Sequence, residues 1–465
     1  MVPKEDSSMG LTFCNVHFTK QPQRVVYVSG SLMKSLKLSG KKNIRLRLGK
    51  DTIPAMIKPI KRAGKHMFLA SGVKRAIKVP TTGGIYLRNL QNDEFQLGPL
   101  VGVLSDGPAS SAQPFGSRTG FIKQLLQEGS NKCYIFAFMP RDIDWQQEQI
   151  NGYFLTGSGK FERKIVPLPD VVYNRLPSRR AETSPYINQL RERFMRKKIP
   201  YFNWSFFNKS DIYRLLENDG VANGFVPETI SNPSTEKMRD MLDRHHFVYY
   251  KPSAGSLGHG IYRLTYLPKK GYFARYRRDG KNVLLRFSSF DSLMRMLRGR
   301  HGQSLQNYVV QQGIRLIEID GCPIDFRFHM HKNGSNQWVV VGIGAKKAGR
   351  GSVTTHLKNG GALLTPQQAL GRVFGARADE VLQRAKVTAV KLAESLEIQH
   401  RHLLGEIGFD LGIDQDEDIW MFEANAKPGR SIFRHPSLRA EGKASIEHIL
   451  EHCLYLSKFR RRDDV

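Results

Sequence analysis

Gly408-Phe-Asp410-Leu-Gly-Ile-Asp414-Gln-Asp416-Glu417-Asp418-Ile-Trp-Met-Phe-Glu423-Ala-Asn425 is two apolar runs flanking a polar tip. That pattern predicts a β-hairpin. With the turn centred on Asp416-Glu417, Asp410 falls directly opposite Glu423, and Asn425 follows two residues on, on the same face. Directly opposed carboxylates repel and cost the sheet stability. A divalent cation removes that cost, and hard oxygen ligands of this kind suit Mg²⁺ or Mn²⁺. An EF-hand fits poorly because its mid-loop glycine is missing. A plain hairpin with an acidic tip explains Asp414 to Asp418 and leaves Asp410, Glu423 and Asn425 unexplained.

Three upstream segments carry related chemistry. In Phe247-Val-Tyr-Tyr-Lys251-Pro-Ser253-Ala-Gly255-Ser256-Leu-Gly258-His-Gly260-Ile261, a bulky strand delivers a lysine into a loop with three glycines. Glycines let backbone N–H groups approach a phosphate closely, and the lysine adds a fixed charge. The order is neither Walker A nor Rossmann, and a simple inter-strand turn is the alternative. In Ile324-Asp325-Phe326-Arg327-Phe-His-Met, an arginine stands among apolar strand residues. Such an arginine needs an anion, either a bound ligand or an acid such as Asp325. Tyr308-Val-Val-Gln311-Gln312-Gly313-Ile314 is a strand leaving into a glycine turn, a hinge or a mere interdomain linker.

The flanking sequence is read as two further units. Short strands are expected at Leu11 to Phe18, Arg24 to Val28, Asn43 to Leu48 and Gly84 to Leu87, a small barrel or sandwich filling a basic N-terminal module of residues 1–95. Residues 96–200 read strand, helix, strand: Leu100 to Leu104, a helix from Phe121, Lys132 to Phe138, then a strand from Ile165 to Tyr173. This order predicts a small parallel α/β domain. A basic helix is expected from Thr183 to Lys198, and residues 201–465 alternate strands and helices, with a long helix from Ala378 to Leu396.

Composition bounds the class. The 465 residues are 40% hydrophobic and 10% aromatic, which excludes a disordered chain. No apolar run is long enough to span a bilayer, and the first residues lack the apolar core of a secretory signal. Cys14, Cys133, Cys322 and Cys453 have no paired spacing, which fits a reducing cytoplasm. The formal charge is +30, and Met9 to Val79 holds sixteen Lys or Arg against one acid, Asp51. Such a module attracts a polyanion: nucleic acid, an anionic membrane or an acidic polymer. It carries no recognised nucleic-acid motif with interleaved aromatics. A merely solvated surface is the alternative.

In this order, the lysine-then-glycine loop, the Asp325-Phe326-Arg327 strand and the Asp410…Glu423-Ala-Asn425 hairpin resemble the ATP-grasp superfamily, and within it the YheC/YheD family of endospore coat-associated proteins. The resemblance is strongest from Asn203 to Phe433. It implies an ATP-grasp fold with ATP between two subdomains, and Mg²⁺ (or Mn²⁺) at Asp410, Glu423 and Asn425. Lys251 matches the lysine on the α/β-phosphates, with Ser253, Gly255, Ser256, Gly258 and Gly260 in the lid loop. Lys209, or else Arg214, matches the earlier nucleotide lysine. Gln311, Gln312 and Ile314 match the adenine hinge, with Glu318 or Asp320 at the ribose. Arg327 resembles the γ-phosphate arginine, and Lys346 or Lys347 a second basic contact. Thr354 to Gly361, including His356, resembles the segment closing over the reaction centre. Several ATP-grasp ligases place an arginine two residues before the first metal-binding Asp; here that position is Gly408, so its role is unfilled or moves to Arg327. The resemblance implies an ATP-dependent ligase joining an unidentified carboxylate to an amine or thiol through an acyl phosphate, linked to sporulation and deposited on the spore coat. The alternatives are a structural coat protein retaining a nucleotide fold, or a polyanion-binding protein using the basic module on acidic coat protein or peptide, cell-wall polymer, or nucleic acid.

Overall fold

The protein, seen in a computed structural model, is described over residues 10–108, 110, 112–253, 260–302, 307–355 and 360–460. It builds four sheets in chain order. The first is a closed barrel whose strands run, in spatial order, Leu11–Thr19, His66–Ala70, Val25–Ser29, Asp51–Ile60, Asn43–Leu48, Glu94–Gly98 and Gly83–Asn89. Alternation does the work: in Asn43–Leu48, Ile44, Leu46 and Leu48 point inward while Asn43 and Arg45 face out. Closure removes the free edges that a small open sheet would expose.

The second sheet has seven strands. Leu100–Leu104, Tyr134–Phe138, Val171–Asn174 and Tyr201–Phe202 are parallel and buried on both faces, as parallel strands covered by helices must be. The expected all-parallel sheet needs correction, because Gln149–Leu155 joins it antiparallel and carries Ile143–Asp144 and Phe161–Pro167. The strand expected from Ile165 to Tyr173 is likewise two strands. Pro169 cannot donate to a ladder, and Asp170 turns away to accept the Leu100 N–H at 2.9 Å and the Gln96 amide at 2.6 Å. The basic helix is Pro185–Arg196, started by Pro185 and by the Ser184 hydroxyl accepting the Ile187 N–H.

The last two sheets are antiparallel, with six strands each. One runs Thr229–Ser231, Tyr308–Gln312, Phe247–Pro252, Tyr262–Leu267, Gly271–Arg278, Lys281–Phe287, with helices Thr235–His245 and Phe290–His301 packed on one face. The other runs Ala362–Leu364, Trp338–Lys347, Cys322–Lys332, Glu406–Ile413, Ile419–Asn425, with Glu318–Ile319 at Cys322–Lys332. The long helix Ala378–Gln399 covers its outer face. The uncovered faces of these two sheets look at each other across a cleft. Among the described residues all four cysteines are free and buried, and no helix is long and apolar enough to cross a membrane.

Candidate functional site

The cleft holds about 1240 Å³. Its roof follows from strand alternation. Val248, Tyr250, Leu264, Ala274 and Val310 pack beneath the helices, so Tyr249, Lys251, Arg263, Arg275 and Gln311 face the cleft. Lys251 is 7% exposed and is held by neutral groups: its Nζ donates to Gln311 Oε1 at 2.7 Å, to the Tyr213 hydroxyl at 2.9 Å and to the Phe422 carbonyl at 3.5 Å. Arg263 and Arg275 are direct cross-strand partners, a like-charge juxtaposition that costs a sheet stability unless an anion relieves it.

The floor is the hairpin and the strand beside it. Asp410 lies opposite Glu423, and Gly408 opposite Asn425. The turn is centred on Asp416, half a residue earlier than expected, with Ile413 opposite Ile419. The pairing survives because the register shifts beyond Asp410, leaving Phe422 as the extra residue of a bulge. That bulge turns the Phe422 carbonyl toward Tyr213 and Lys251.

Asp410 is also the cross-strand partner of Arg327. Arg327 Nε reaches Asp410 Oδ1 at 2.8 Å and Nη2 reaches Oδ2 at 3.0 Å, a two-pronged grip. Lys346 bridges Asp410 at 2.9 Å and Asp325 at 2.8 Å, and Thr355 donates to the other Asp325 oxygen. Burial opposes the Lys346 charge, yet Asp325 and Asp410 together hold its pKa above the ordinary range. Burial pushes the Asp325 carboxyl up, against the pull of Lys346. Gly408 has a spatial reason: a Cβ there would lie 2.9 Å from Arg327 Nη1 and 2.5 Å from Pro428 Cβ. The space beside residue 408 is occupied by the Arg327 guanidinium.

The site residues expected from sequence divide as follows. Lys251, Gln311, Ile314, Glu318, Arg327, Lys346, Asp410, Glu423 and Asn425 line the cleft. Gln311 is bonded to Lys251 and, through its amide, to Thr229, so it fixes the lysine. Gln312 stands one residue on and turns to the edge strand, accepting the Glu228 N–H at 3.1 Å. Lys347 turns away from Lys346 to pair with Asp320. Ser253 donates to the Asn307 carbonyl, and Gly260 sits at φ +71°, where a Cβ would come 3.1 Å from the Tyr308 hydroxyl. Lys209 opens helix Lys209–Glu217, with its side chain outside the described residues, as are Gly255, Ser256, Gly258 and His356. Arg214 is exposed and paired with Asp211.

Sequence reading missed six cations that line the same cleft: Arg179, Arg263, Arg275, Arg315, Lys427 and Arg434. The alternation around Lys251 was the available signal for Arg263 and Arg275; the others arrive through tertiary packing. Among the described residues, nine Lys or Arg and four carboxylates line the cleft, so it favours a polyanion. Lys427 is buried beside Glu182 and Phe206; burial lowers it to about 7 against the pull of Glu182.

A profile described as "YheC/D like ATP-grasp" matches residues 198–456. The chain belongs to this family. Endospore coat-associated protein YheD of Bacillus subtilis is 38% identical over 371 residues, covering 78% of this chain and 80% of its own length. Endospore coat-associated protein YheC of the same organism is 24% identical over 327 residues, covering 69% and 87%. Among solved structures, D-alanyl-alanine synthetase A from Vibrio cholerae aligns at 14% identity over 76% of this chain and 99% of that chain, with a TM-score of 0.42. The family membership and the two facing antiparallel sheets make this an α/β protein of ATP-grasp fold.

The ATP-grasp family implies a divalent metal, and the donor chemistry here fits one: two carboxylates and a side-chain amide, all on the cleft wall. The repulsion expected between Asp410 and Glu423 is eased by protein cations, because Arg327 and Lys346 already hold Asp410. Replacing Glu423 by Gln keeps the size of the side chain and removes its charge, so the variant should still fold without metal. The same variant should weaken nucleotide binding in Mg²⁺ and leave it nearly unchanged in EDTA. Equal affinity of both forms in Mg²⁺, by calorimetry, would remove Glu423 from the metal set.

The Lys251 environment sets a pH dependence. Burial lowers its ammonium to about 8, and Glu423 and Asp410 pull it only partly back. The charge is present at neutral pH and is lost as pH rises through that value. Nucleotide affinity should fall between about pH 7 and pH 9, and binding near pH 8.5 should take up protons, because a bound anion favours the charged lysine. Titrations in two buffers of different ionisation enthalpy read this uptake; affinity flat over that range would separate Lys251 from the anion.

Proposed function

We propose that this protein is an ATP- and Mg²⁺-dependent ligase that activates a substrate carboxylate by phosphoryl transfer and joins it to an amine or thiol. The observation that carries this reading is the juxtaposition, across one cationic cleft, of the buried lysine of one sheet and the Asp410, Glu423, Asn425 hairpin of the other. Lys251 takes the α/β-phosphates; Gln311, Ile314 and Glu318 bound the purine and ribose end. Asp410, Glu423 and Asn425 would hold the Mg²⁺, which when bound would draw charge from the phosphates and favour transfer. Lys346, between Asp325 and Asp410, supplies the second positive charge near the transferring group. Arg327 keeps Asp410 oriented through its two-pronged grip and stands where Gly408 leaves room. The low-dielectric walls strengthen these contacts without reorganisation during the reaction.

The γ-phosphoryl group passes to a carboxylate oxygen as the bond to ADP breaks. The amine or thiol then attacks the acyl carbon and phosphate leaves. This route needs no protein nucleophile, in keeping with four buried cysteines. Its likeness to the endospore coat-associated protein YheD supports a role in sporulation and at the spore coat. Incubation with ATP, Mg²⁺ and a sporulating-cell extract, followed by mass spectrometry, tests the reading. ADP and a condensed product lighter by one water than its two parts are expected. ATP binding with no ADP formed under any extract would favour a structural coat protein that retains the nucleotide fold.

A further inference from the structure

The barrel carries a surface that the cleft does not use. Strand pairing sets Lys58 beside Tyr27, Tyr27 beside Phe68, and Phe68 beside His17. Ile57, Val26, Val28, Met67, Leu69 and Val16, which adjoin these residues in the chain, are buried, so the four side chains share the outer face. His17 stacks on Phe68 with centroids 4.4 Å apart and 23° between the rings, and the Arg62 guanidinium lies over Phe68 at 5.3 Å. Farther along the strand of His17, Phe13 is 38% exposed and meets Tyr86 edge-on at 5.3 Å. Phe13 has room there because residue 84 is glycine; a Cβ would lie 2.4 Å from its ring.

The charge on this face is one-signed. Lys20, Arg24, Lys58, Lys61, Arg62 and Lys65 are exposed, and none makes an ion pair among the described residues. The barrel's described acids are engaged elsewhere: Asp93 with Lys41, Glu94 with Arg45 and Arg47, and Asp51 with Lys78. Burial, then His66 and Arg62, keep His17 below its ordinary range, so near neutral pH it offers a neutral ring. The aromatics that are scattered along the sequence are therefore interleaved with cations in space, by register alone.

We propose that this face binds single-stranded nucleic acid, with phosphates on the lysines and arginines and bases against Tyr27, Phe68 and His17. An acidic protein or cell-wall polymer would use the cations and leave the rings unused. Rings on neighbouring strands, by contrast, offer apolar and π contacts that a base can use and an acidic polymer cannot.

Fluorescence anisotropy of the full chain with a labelled oligo-dT of about 20 nucleotides tests this. Affinity should fall steeply with salt, and unlabelled oligo-dT should compete far better than polyglutamate of equal charge. Phe68→Leu and Tyr27→Leu, which keep apolar bulk and remove the ring, should each weaken binding about fivefold or more while ATP affinity is unchanged. Should either fail to fold, Lys58→Ser and Arg62→Ser alter only exposed residues and should lower both the affinity and its salt slope. The proposal fails if oligo-dT does not bind at about 50 mM salt, if polyglutamate or a duplex of equal length binds as well, or if folded ring variants bind like the parent.

Discussion

Replacing Glu406 by Gln should cost the fold about 3–5 kcal/mol, the penalty for stripping one partner from a buried ion pair. Glu406 is 1% exposed and pairs with Arg175, itself buried; the Tyr173 hydroxyl donates to the same carboxylate oxygen at 3.1 Å. Burial works against the Arg175 charge, yet Glu406 holds its pKa above the ordinary range. Arg430, whose pKa burial lowers, draws on the same carboxylate. Removing the negative charge leaves two guanidiniums without it in a low-dielectric interior. The pair also spans the chain: Tyr173 and Arg175 lie at the end of strand Val171–Asn174, while Glu406 opens a floor strand of the cleft. Urea unfolding should show the loss, and Arg175→Met combined with Glu406→Leu should recover most of it, since an apolar pair needs no charge balance. Loss below about 1 kcal/mol in the single variant would mean that water or a neighbour replaces the carboxylate.

The parts of this molecule that were legible in its sequence are those fixed by short-range rules. Period-two alternation put Lys251 on the cleft face, and a local turn set Asp410 against Glu423, even though the turn is centred half a residue early and a bulge at Phe422 restores the pair. Arg327 called for an anion, and its cross-strand neighbour Asp410 supplies one. What was illegible depends on distant segments. The barrel strand Asp51–Ile60 hides behind Pro54 and Pro59, and Gln149–Leu155 and Phe161–Pro167 alternate too weakly to stand out among polar residues. Gln312 and Lys347 were expected in the site but fall on the wrong side of the same alternation that admits Gln311 and Lys346. The stacking of His17 on Phe68 joins residues 51 positions apart, a relation that only sheet register creates.

Replacing Lys251 by Ala should weaken ATP binding by about 1.5–3 kcal/mol, roughly tenfold or more, through loss of a charge-assisted contact. The structure adds a second, opposite expectation for the protein without nucleotide. Lys251 lies between neutral oxygens, and among the described residues no carboxylate reaches ion-pair distance of it. A lysine whose folded pKa is depressed to about 8 favours the unfolded state at every pH where it is still protonated, and that burden disappears only as pH rises through 8 toward its unfolded value. Lys251→Met keeps the stem and removes the charge, so it should hold or raise the stability of the nucleotide-free protein at pH 7 while losing ATP affinity as Ala does. A structural lysine would do the reverse, with Met destabilising and ATP affinity intact. Urea unfolding without nucleotide and calorimetry with Mg-ATP, on the same two variants, separate the outcomes. The pH dependence of ATP affinity around pH 8 should vanish with the ammonium in both, if the group that titrates there is, as proposed, the one on the phosphates.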